Sequence, residues 1–334
     1  MRLAGMTVRA LEELLASRTR ALAAAKWIYG PRPWCLDPPA TVDGLGAAAW
    51  ATLRATCGPS DVRVARQEAT LDGTIKLVIA VEGGSVETVM IPTARRSTIC
   101  VSSQIGCTRN CTFCATAKLG FARNLRADEI VAQFLIARTM APASAPATNV
   151  VFMGMGEPLD NLDEVLTAVE ILTQSPAPQL GHAQVTVSTS GVLPAMRRFL
   201  AECPASLALS LNGTTNASRL PVMPQTKAWP IEALIELLRE HPDRVHFIEY
   251  VMLDGINDSD DDARRIVLLL CGVNALLNLI PHNQIAGSPL RASPRARIEE
   301  FRRLVVTAGL RTMIRWPRGS EISAACGQLA GVER

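Results

Sequence analysis

Apolar residues recur at helical spacing through Val8, Leu11, Leu14, Leu15 and Leu22, which predicts helix from Thr7 to Tyr29, ended by Pro31 and Pro33. A second helical pattern runs from Val42 to Thr56, so residues 1–58 read as a small helical unit. The period then changes from near four to two. Asp61 to Thr70, Thr74 to Val81 and Ser85 to Pro92 alternate, and the dipeptides Asp72-Gly73 and Gly83-Gly84 between them favour tight turns. Residues 59–97 therefore read as an antiparallel meander lining one side of the larger C-terminal region.

From Thr98 a strand-then-helix rhythm takes over. Strands are expected at Thr98–Ser103, Asn149–Met153, Gln184–Thr189, Ser206–Leu211, Arg244–Met252 and Ala275–Ile280. Each is followed by a helical pattern: Arg126–Met140, Leu162–Thr173, Leu193–Glu202, Pro230–Arg239, Ser259–Cys271 and Pro294–Ala308. Six such units across residues 98–330 predict an α/β fold, a parallel (β/α)6 sheet curled into a partial barrel, because a closed eightfold barrel needs more chain. In such sheets chemistry gathers beyond the carboxyl ends of the strands. There the sequence places a cysteine array, Gly154-Met-Gly-Glu157, Ser188-Thr-Ser-Gly191, Ser210-Leu-Asn212 and Pro281-His-Asn283.

Composition narrows the class. A chain of 334 residues with 48% hydrophobic content and mean hydropathy +0.18 is globular, and its longest apolar runs fall far short of a membrane span. Arg2, Arg9, Arg18 and Arg20 suggest a transit peptide, but Glu12 and Glu13 interrupt the pattern, and a cytoplasmic protein is expected. Nine cysteines, an odd number, point to reduced thiols used for metal or catalysis. The net charge of +3 conceals an uneven distribution. Acids predominate from Glu157 to Asp262, whereas Arg291 to Arg318 holds eight arginines against two glutamates. That segment reads either as a phosphate-contact surface or as a solvated helix face.

Cys107, Cys111 and Cys114 form a C-x3-C-x2-C array inside Gly106-Cys-Thr-Arg-Asn-Cys-Thr-Phe-Cys-Ala115. Arg109, Asn110 and two threonines make this a poor core segment. Soft thiolates at this spacing select zinc or an iron–sulfur cluster. Structural zinc needs a fourth ligand, which only Cys100 could supply nearby, whereas three thiolates suit a cubane with one iron left open. Taken singly, the glycines around Glu157 read as a turn, and Ser188, Ser210, Asn212 and Asn283 as turn or cap residues. Cys326, between alanines and a glycine, reads alone as a small buried residue. Glu87, alternating with Val86 and Val89, reads as a solvent-facing strand residue. Cys35, Cys57, Cys203 and Cys271 match no motif and read as structural.

The array with Phe113 resembles the radical S-adenosylmethionine signature. Together with Cys100-Val-Ser-Ser-Gln-Ile-Gly-Cys107, Gly120-Phe-Ala-Arg-Asn-Leu125, Gly154-Met-Gly-Glu-Pro158, Glu249-Tyr-Val-Met-Leu-Asp254 and Ala325-Cys-Gly-Gln-Leu329, it resembles the RlmN/Cfr family of RNA adenine methyltransferases. The resemblance implies a radical-SAM-type barrel holding one 4Fe-4S cluster on Cys107, Cys111 and Cys114. S-adenosylmethionine would be held by Gly156, Glu157, Ser188, Ser210, Leu211, Asn212 and Asn283. It also implies methylation at carbon 2 of an adenosine in 23S ribosomal RNA, with tRNA as a second substrate, and an electron donor such as flavodoxin or ferredoxin. Carbon 2 is not nucleophilic, so a radical route is needed. Cys326 would carry the methyl group as S-methylcysteine, Cys100 would resolve the RNA adduct through a transient disulfide with Cys326, and Glu87 would accept the ring proton. Methylation at carbon 8 is the close alternative, and a zinc-stabilised RNA-binding protein is the non-catalytic one. The chain departs from the family at Ser210-Leu-Asn-Gly-Thr-Thr-Asn216, where the family carries a histidine third, and at Met223-Pro-Gln-Thr-Lys227. The N-terminal region, which in the family helps grip RNA, matches only around Lys26-Trp-Ile-Tyr29.

Overall fold

The computed structural model describes residues 2–30, 41–58 and 61–330, so Cys35, Pro31 and Pro33 lie outside the described residues. The first helical pattern forms two helices, α1 (Val8–Leu15) and α2 (Arg18–Tyr29). The break falls at Ala16, which takes a left-handed conformation (φ 48°), and at Ser17, whose hydroxyl accepts from the Arg20 N–H at 3.4 Å as the cap of α2. Apolar periodicity does not register a two-residue break of this kind. Helix α3 (Ala47–Thr56) packs back on α2, with Trp50 edge-on to Trp27 at 4.8 Å between ring centroids.

The meander strands β1 (Arg63–Ala69), β2 (Ile75–Val81) and β3 (Gly84–Pro92) pair antiparallel as expected. They do not stand apart, because β3 pairs antiparallel with β4 (Ser97–Cys100), the first strand of the parallel region. One ten-stranded sheet results, in the order β1-β2-β3-β4-β7-β8-β9-β10-β11-β12. Its parallel strands are β4, β7 (Ala147–Phe152), β8 (Val185–Thr189), β9 (Ser206–Ser210), β10 (His246–Met252), β11 (Ala275–Pro281) and the short β12 (Thr312–Ile314). Strand β12 is too short to show periodicity, and neither it nor the separate pair β5 (Gln104–Gly106) and β6 (Phe121–Asn124) was legible in the pattern.

The crossover helices are α4 (Ala127–Ala137), α5 (Leu162–Thr173), α6 (Leu193–Glu202), α8 (Ile231–Arg239), α9 (Asp260–Leu269) and α10 (Arg295–Thr307), with the single turn α7 (Asn216–Arg219) before α8. Every residue of α4 is buried. Its polar residues Asp128, Glu129 and Gln133 are buried with the apolar ones, so the helix is covered on all sides. The sheet lies against one side of α4, where Thr88 of β3 donates to Gln133 at 2.8 Å. The N-terminal helices sit near its end, where Arg138 donates to the Tyr29 carbonyl at 2.8 Å.

The two faces of the meander have different partners. Residues of period two toward α4 include Leu77 and Thr88, while Lys76 and Glu87 point the other way. On that second face Lys76 donates to the Ile322 carbonyl at 2.5 Å, and Glu87 accepts from the Ala330 N–H at 2.9 Å. The last described segment of the chain thus crosses the inner face of the sheet.

Candidate functional site

Beyond the carboxyl ends of the parallel strands lies a cleft. Its wall brings together Cys107, Cys111 and Cys114 from the loop after β5 with Gly156 and Glu157 after β7. Ser188 of β8, Ser210 of β9, Asn212, Asn283 and Cys326 complete the set. Three of the sequence candidates are not on that wall. Leu211 is fully buried and donates its N–H to the Glu249 carbonyl at 2.9 Å. Cys100 and Glu87 lie behind the C-terminal segment.

The cysteine loop is fixed at its base by Gly106. Its φ of 76° and the 1.8 Å that would separate a Cβ from the Gly120 carbonyl oxygen leave room for no side chain. Cys107 then donates its N–H to that same carbonyl at 2.9 Å. Farther along, Thr112 donates to the Val222 carbonyl at 3.1 Å and Ala115 to the Gly327 carbonyl at 2.7 Å. Cys111 and Phe113 pack on a small apolar cluster of Val222, Met223 and Leu253. Two N–H groups reach sulfur: Arg109 to Cys107 at 3.3 Å and Gln225 to Cys111 at 3.7 Å. Arg109 is itself paired with Asp160 and lies over the Trp229 ring at 5.3 Å. Burial pushes the Cys107 and Cys111 thiols up to about 12. Thiolates at these positions therefore require a cation.

Among the described residues no three His, Cys, Asp or Glu side chains are gathered tightly enough for a single metal ion. The donor set is three soft thiols on one wall with open space beside them, which fits a cluster with a free iron. A polar ligand fits the remaining wall. The buried Nε2 of His282 has no protein partner, and Gly156 (φ 105°) could not carry a Cβ without meeting Gln104 at 2.7 Å, so a ligand meets bare backbone there. Glu157 is buried, and burial raises its pKa although the N–H groups of Ser190 (2.7 Å) and Leu159 (3.0 Å) donate to it. A cationic ligand group would relieve that cost.

Asn212 adopts the left-handed region (φ 52°), which asparagine tolerates better than most side chains. Its carbonyl oxygen accepts from the Val251 N–H at 2.7 Å and its amide nitrogen approaches the Met223 sulfur at 3.2 Å. It faces the cleft with both ends engaged. Asn283 donates to the Cys326 carbonyl at 3.0 Å and so places the C-terminal cysteine. The Thr116 hydroxyl donates to the Leu329 carbonyl at 2.6 Å, tying the same segment to the cysteine loop.

Neither bland reading of Cys326 and Glu87 survives. Cys326 is exposed, but to a confined cleft ringed by protein, and its thiol is pushed up to about 11, chiefly by that enclosure and next by the Glu249 carboxylate. Glu87 is 2% exposed, and Lys76 lies 3.4 Å from its carboxylate. Directly opposed residues of a sheet share a face, so the Val89–Cys100 pair puts Cys100 on the face of Glu87. Cys100 is buried and close enough to Cys326 that each thiolate would disfavour the other; burial drives its pKa far up. Cys57 and Cys203 are buried, while Cys271, expected to be structural, is exposed at the end of α9.

Pattern reading missed Glu249 and Arg219. Glu249 lies in one row with Ser210 and Asn278 across three parallel strands, and it lines the cleft. Its signals were a carboxylate at the centre of a largely apolar strand and its place at the head of the motif Glu249–Asp254. Arg219 is fully buried and donates to the carbonyls of Leu211 (2.8 Å), Ser190 (2.6 Å) and Ser210 (3.0 Å), clamping the ends of β8 and β9. Burial lowers its pKa to about 10. The arginine-rich segment is largely spent within the chain. Arg295, Arg297 and Arg303 pair with Glu299, Asp260 and Glu300, while Arg311, Arg315 and Arg318 donate to Asn274, Asn278 and the Pro92 carbonyl. The solvated-face reading describes it better than a dedicated phosphate surface.

Residues 101–267 match the model of the Radical SAM superfamily. Among curated relatives, the "Dual-specificity RNA methyltransferase RlmN" of Paracoccus denitrificans is 40% identical over 98% of this chain and 89% of its own. The protein of the same name from Syntrophobacter fumaroxidans is 43% identical over 80% of this chain and 79% of its own. A crystal structure described as a radical SAM methyltransferase from Sphaerobacter thermophilus superimposes with a TM-score of 0.89 at 35% identity, covering 98% of this chain and 99% of that one.

Proposed function

The chain belongs to the RlmN family of radical S-adenosylmethionine RNA methyltransferases, and on that premise we propose that it methylates carbon 2 of an adenine in 23S ribosomal RNA and in tRNA, with Cys326 as the methyl carrier. The observation that carries this reading is Cys326 itself. It stands in the same cleft as the three-cysteine loop and is held there by Asn283, Thr116 and Ala115 through its own segment. A radical enzyme acting without a carrier thiol has no use for that placement.

In this reading Cys107, Cys111 and Cys114 hold a 4Fe-4S cluster. Gly156, Glu157, Ser188, Ser210, Asn212 and Asn283 hold S-adenosylmethionine, while Leu211 lies behind them with its N–H and carbonyl bonded to Glu249 and Arg219. When bound, the two supply the methyl group and the one-electron chemistry that an unreactive ring carbon demands. The chain's own residues do the rest. Glu157 meets a cationic part of the ligand, and the apolar cluster beneath Cys111 and Phe113 excludes water. Cys326 presents the carried group, and buried Cys100 beside it is placed to attack the sulfur of a spent adduct and release the product. Glu87 takes the ring proton once the C-terminal segment lifts from its carboxylate.

Residues 1–58 serve RNA gripping, 59–97 extend the sheet, and 98–330 form the catalytic barrel. The electron comes from a small carrier such as flavodoxin or ferredoxin in the cytoplasm; among the described residues no helix is long and apolar enough to cross a membrane. Mass spectrometry of nucleosides from a deletion strain and its parent tests the reading. Loss of 2-methyladenosine is expected, whereas loss of 8-methyladenosine or no loss would overturn it.

A further inference from the structure

We propose that Glu249 is the proton acceptor that frees the Cys326 sulfur to take up its methyl group, and that Asn278 and Arg315 are the residues that position it. The proposal rests on the assignment of Cys326 as the methyl carrier. A thiol this reluctant to ionise is a poor nucleophile without a base beside it. Glu249 and Cys326 line the same cleft, and among the side chains around that thiol the Glu249 carboxylate exerts the strongest charge effect on it. The other carboxylates are otherwise engaged. Both Glu157 oxygens accept backbone N–H groups, and Glu87 is held by Ala330 and Lys76 behind the C-terminal segment.

The positioning is built from the sheet. Parallel register sets Ser210, Glu249 and Asn278 side by side on the inner face. The Asn278 amide donates to Glu249 Oε1 at 2.8 Å, and its carbonyl oxygen accepts from Arg315 Nε at 3.1 Å. Oε1 is thereby fixed, and Oε2 is left for the cleft. Arg315 acts through Asn278, so the carboxylate keeps its basicity instead of surrendering it to a direct ion pair. Burial raises the pKa of Glu249 to about 7, which suits a base that must accept a proton near neutrality and return it afterwards. The charged and titratable groups facing it are Arg315 after β12, Cys326 on the C-terminal segment with Cys114 beyond it, and His282 at the end of β11. His282 shares the wall, with burial lowering its pKa, and among the charged groups that bear on Cys326 the Glu249 carboxylate comes first.

The step balances. A sulfur lone pair of Cys326 forms a bond to the methyl carbon of the sulfonium donor, and the carbon–sulfonium bonding pair returns to a neutral thioether. The thiol proton passes to Glu249, so the positive charge lost by the donor matches the negative charge lost by the carboxylate.

The test uses reconstituted full-length holoenzyme, wild type and Glu249→Gln, with Cys326 followed by peptide mass spectrometry. After S-adenosylmethionine is added without RNA, Cys326 methylation in the variant should slow by about 10²-fold or more at pH 7.5. KM for the donor and the cluster absorbance should not change, and Glu249→Asp should restore part of the rate. The wild-type rate should rise with pH to a midpoint near 7, and that midpoint should vanish in Glu249→Gln. Equal rates with the same pH profile would overturn the proposal. So would a flat wild-type profile, which needs no variant to fold. Alkylation of Cys326 by iodoacetamide gives a second reading without a methyl donor and should show the same midpoint and the same loss. If wild-type Cys326 is never methylated, the carrier assignment fails, and alkylation still judges Glu249 by itself.

Discussion

The cysteine loop and the C-terminal segment both present sulfur to one cleft, and they do so in opposite settings. Cys107 and Cys111 sit in a loop pinned by Gly106 and backed by an apolar cluster, with N–H groups aimed at their sulfurs. Cys326 sits at the tip of a segment held by its backbone, with its thiol open to the cleft and a carboxylate nearby. A ligand must be immobilised and its charge neutralised by metal. A nucleophile must be approachable and must have somewhere to send a proton. On the proposed assignment the contrast separates metal ligand from reagent although both are cysteine thiols.

The largest expected effect breaks the comparison at the loop. Cys111→Ala should lose both the charge-transfer absorbance of the anaerobically reconstituted protein and all RNA methylation, because two thiolates do not retain the cluster. Iron content and the visible spectrum check it. Cys326→Ala should keep that absorbance while methylation falls by more than about 10³-fold, since removal of a covalent carrier leaves no alternative route. A variant that still methylates RNA would return Cys326 to the structural class. Cys100→Ala should sharpen the contrast from within the pair. Denaturing gels should show an accumulated RNA–protein adduct, and free product formed at the wild-type rate would remove its resolving role.

The smallest effect is thermodynamic. The pKa of Glu249 is raised from 4.5 to about 7 by burial, so the folded state resists its ionisation. Relative to a neutral side chain, stability is intact below about pH 4.5, declines as pH rises to about 7 and is constant above that. Glu249→Gln should therefore match wild type near pH 4.5 and exceed it above neutrality by up to about 3 kcal/mol, measured by denaturant titration at the two pH values. Equal gain at both would mean that the carboxylate is not the titrating group.

Much of the frame was readable before folding. The strand–helix rhythm marked six parallel strands and the helices after them, because period two and period near four are local consequences of backbone geometry. The breaks were harder. Ala16 interrupts the first helix through one residue's dihedral, and β12 is three residues long. Alternation assigned Glu87 to solvent because a strand pattern says which residues share a face and not what covers it. The structure shows the C-terminal segment covering that face, with Ala330 on Glu87 and Ile322 on Lys76. The arginine-rich segment left two readings open, and only the fold decides between them, since its partners Asp260, Asn274 and Asn278 lie outside it.

By itself the sequence determined the metal-binding character of the chain. Three thiols within eight residues are never more than about 25 Å apart, and their softness and number narrow the bound group to zinc or an iron–sulfur cluster. Tertiary structure alone decided which other groups stand near them. Cys100, Glu249 and Cys326 are separated by up to 226 positions along the chain, and no local rule constrains such a distance. They meet because parallel strand register aligns Glu249 with Asn278 and the folded sheet receives the C-terminal segment on its inner face.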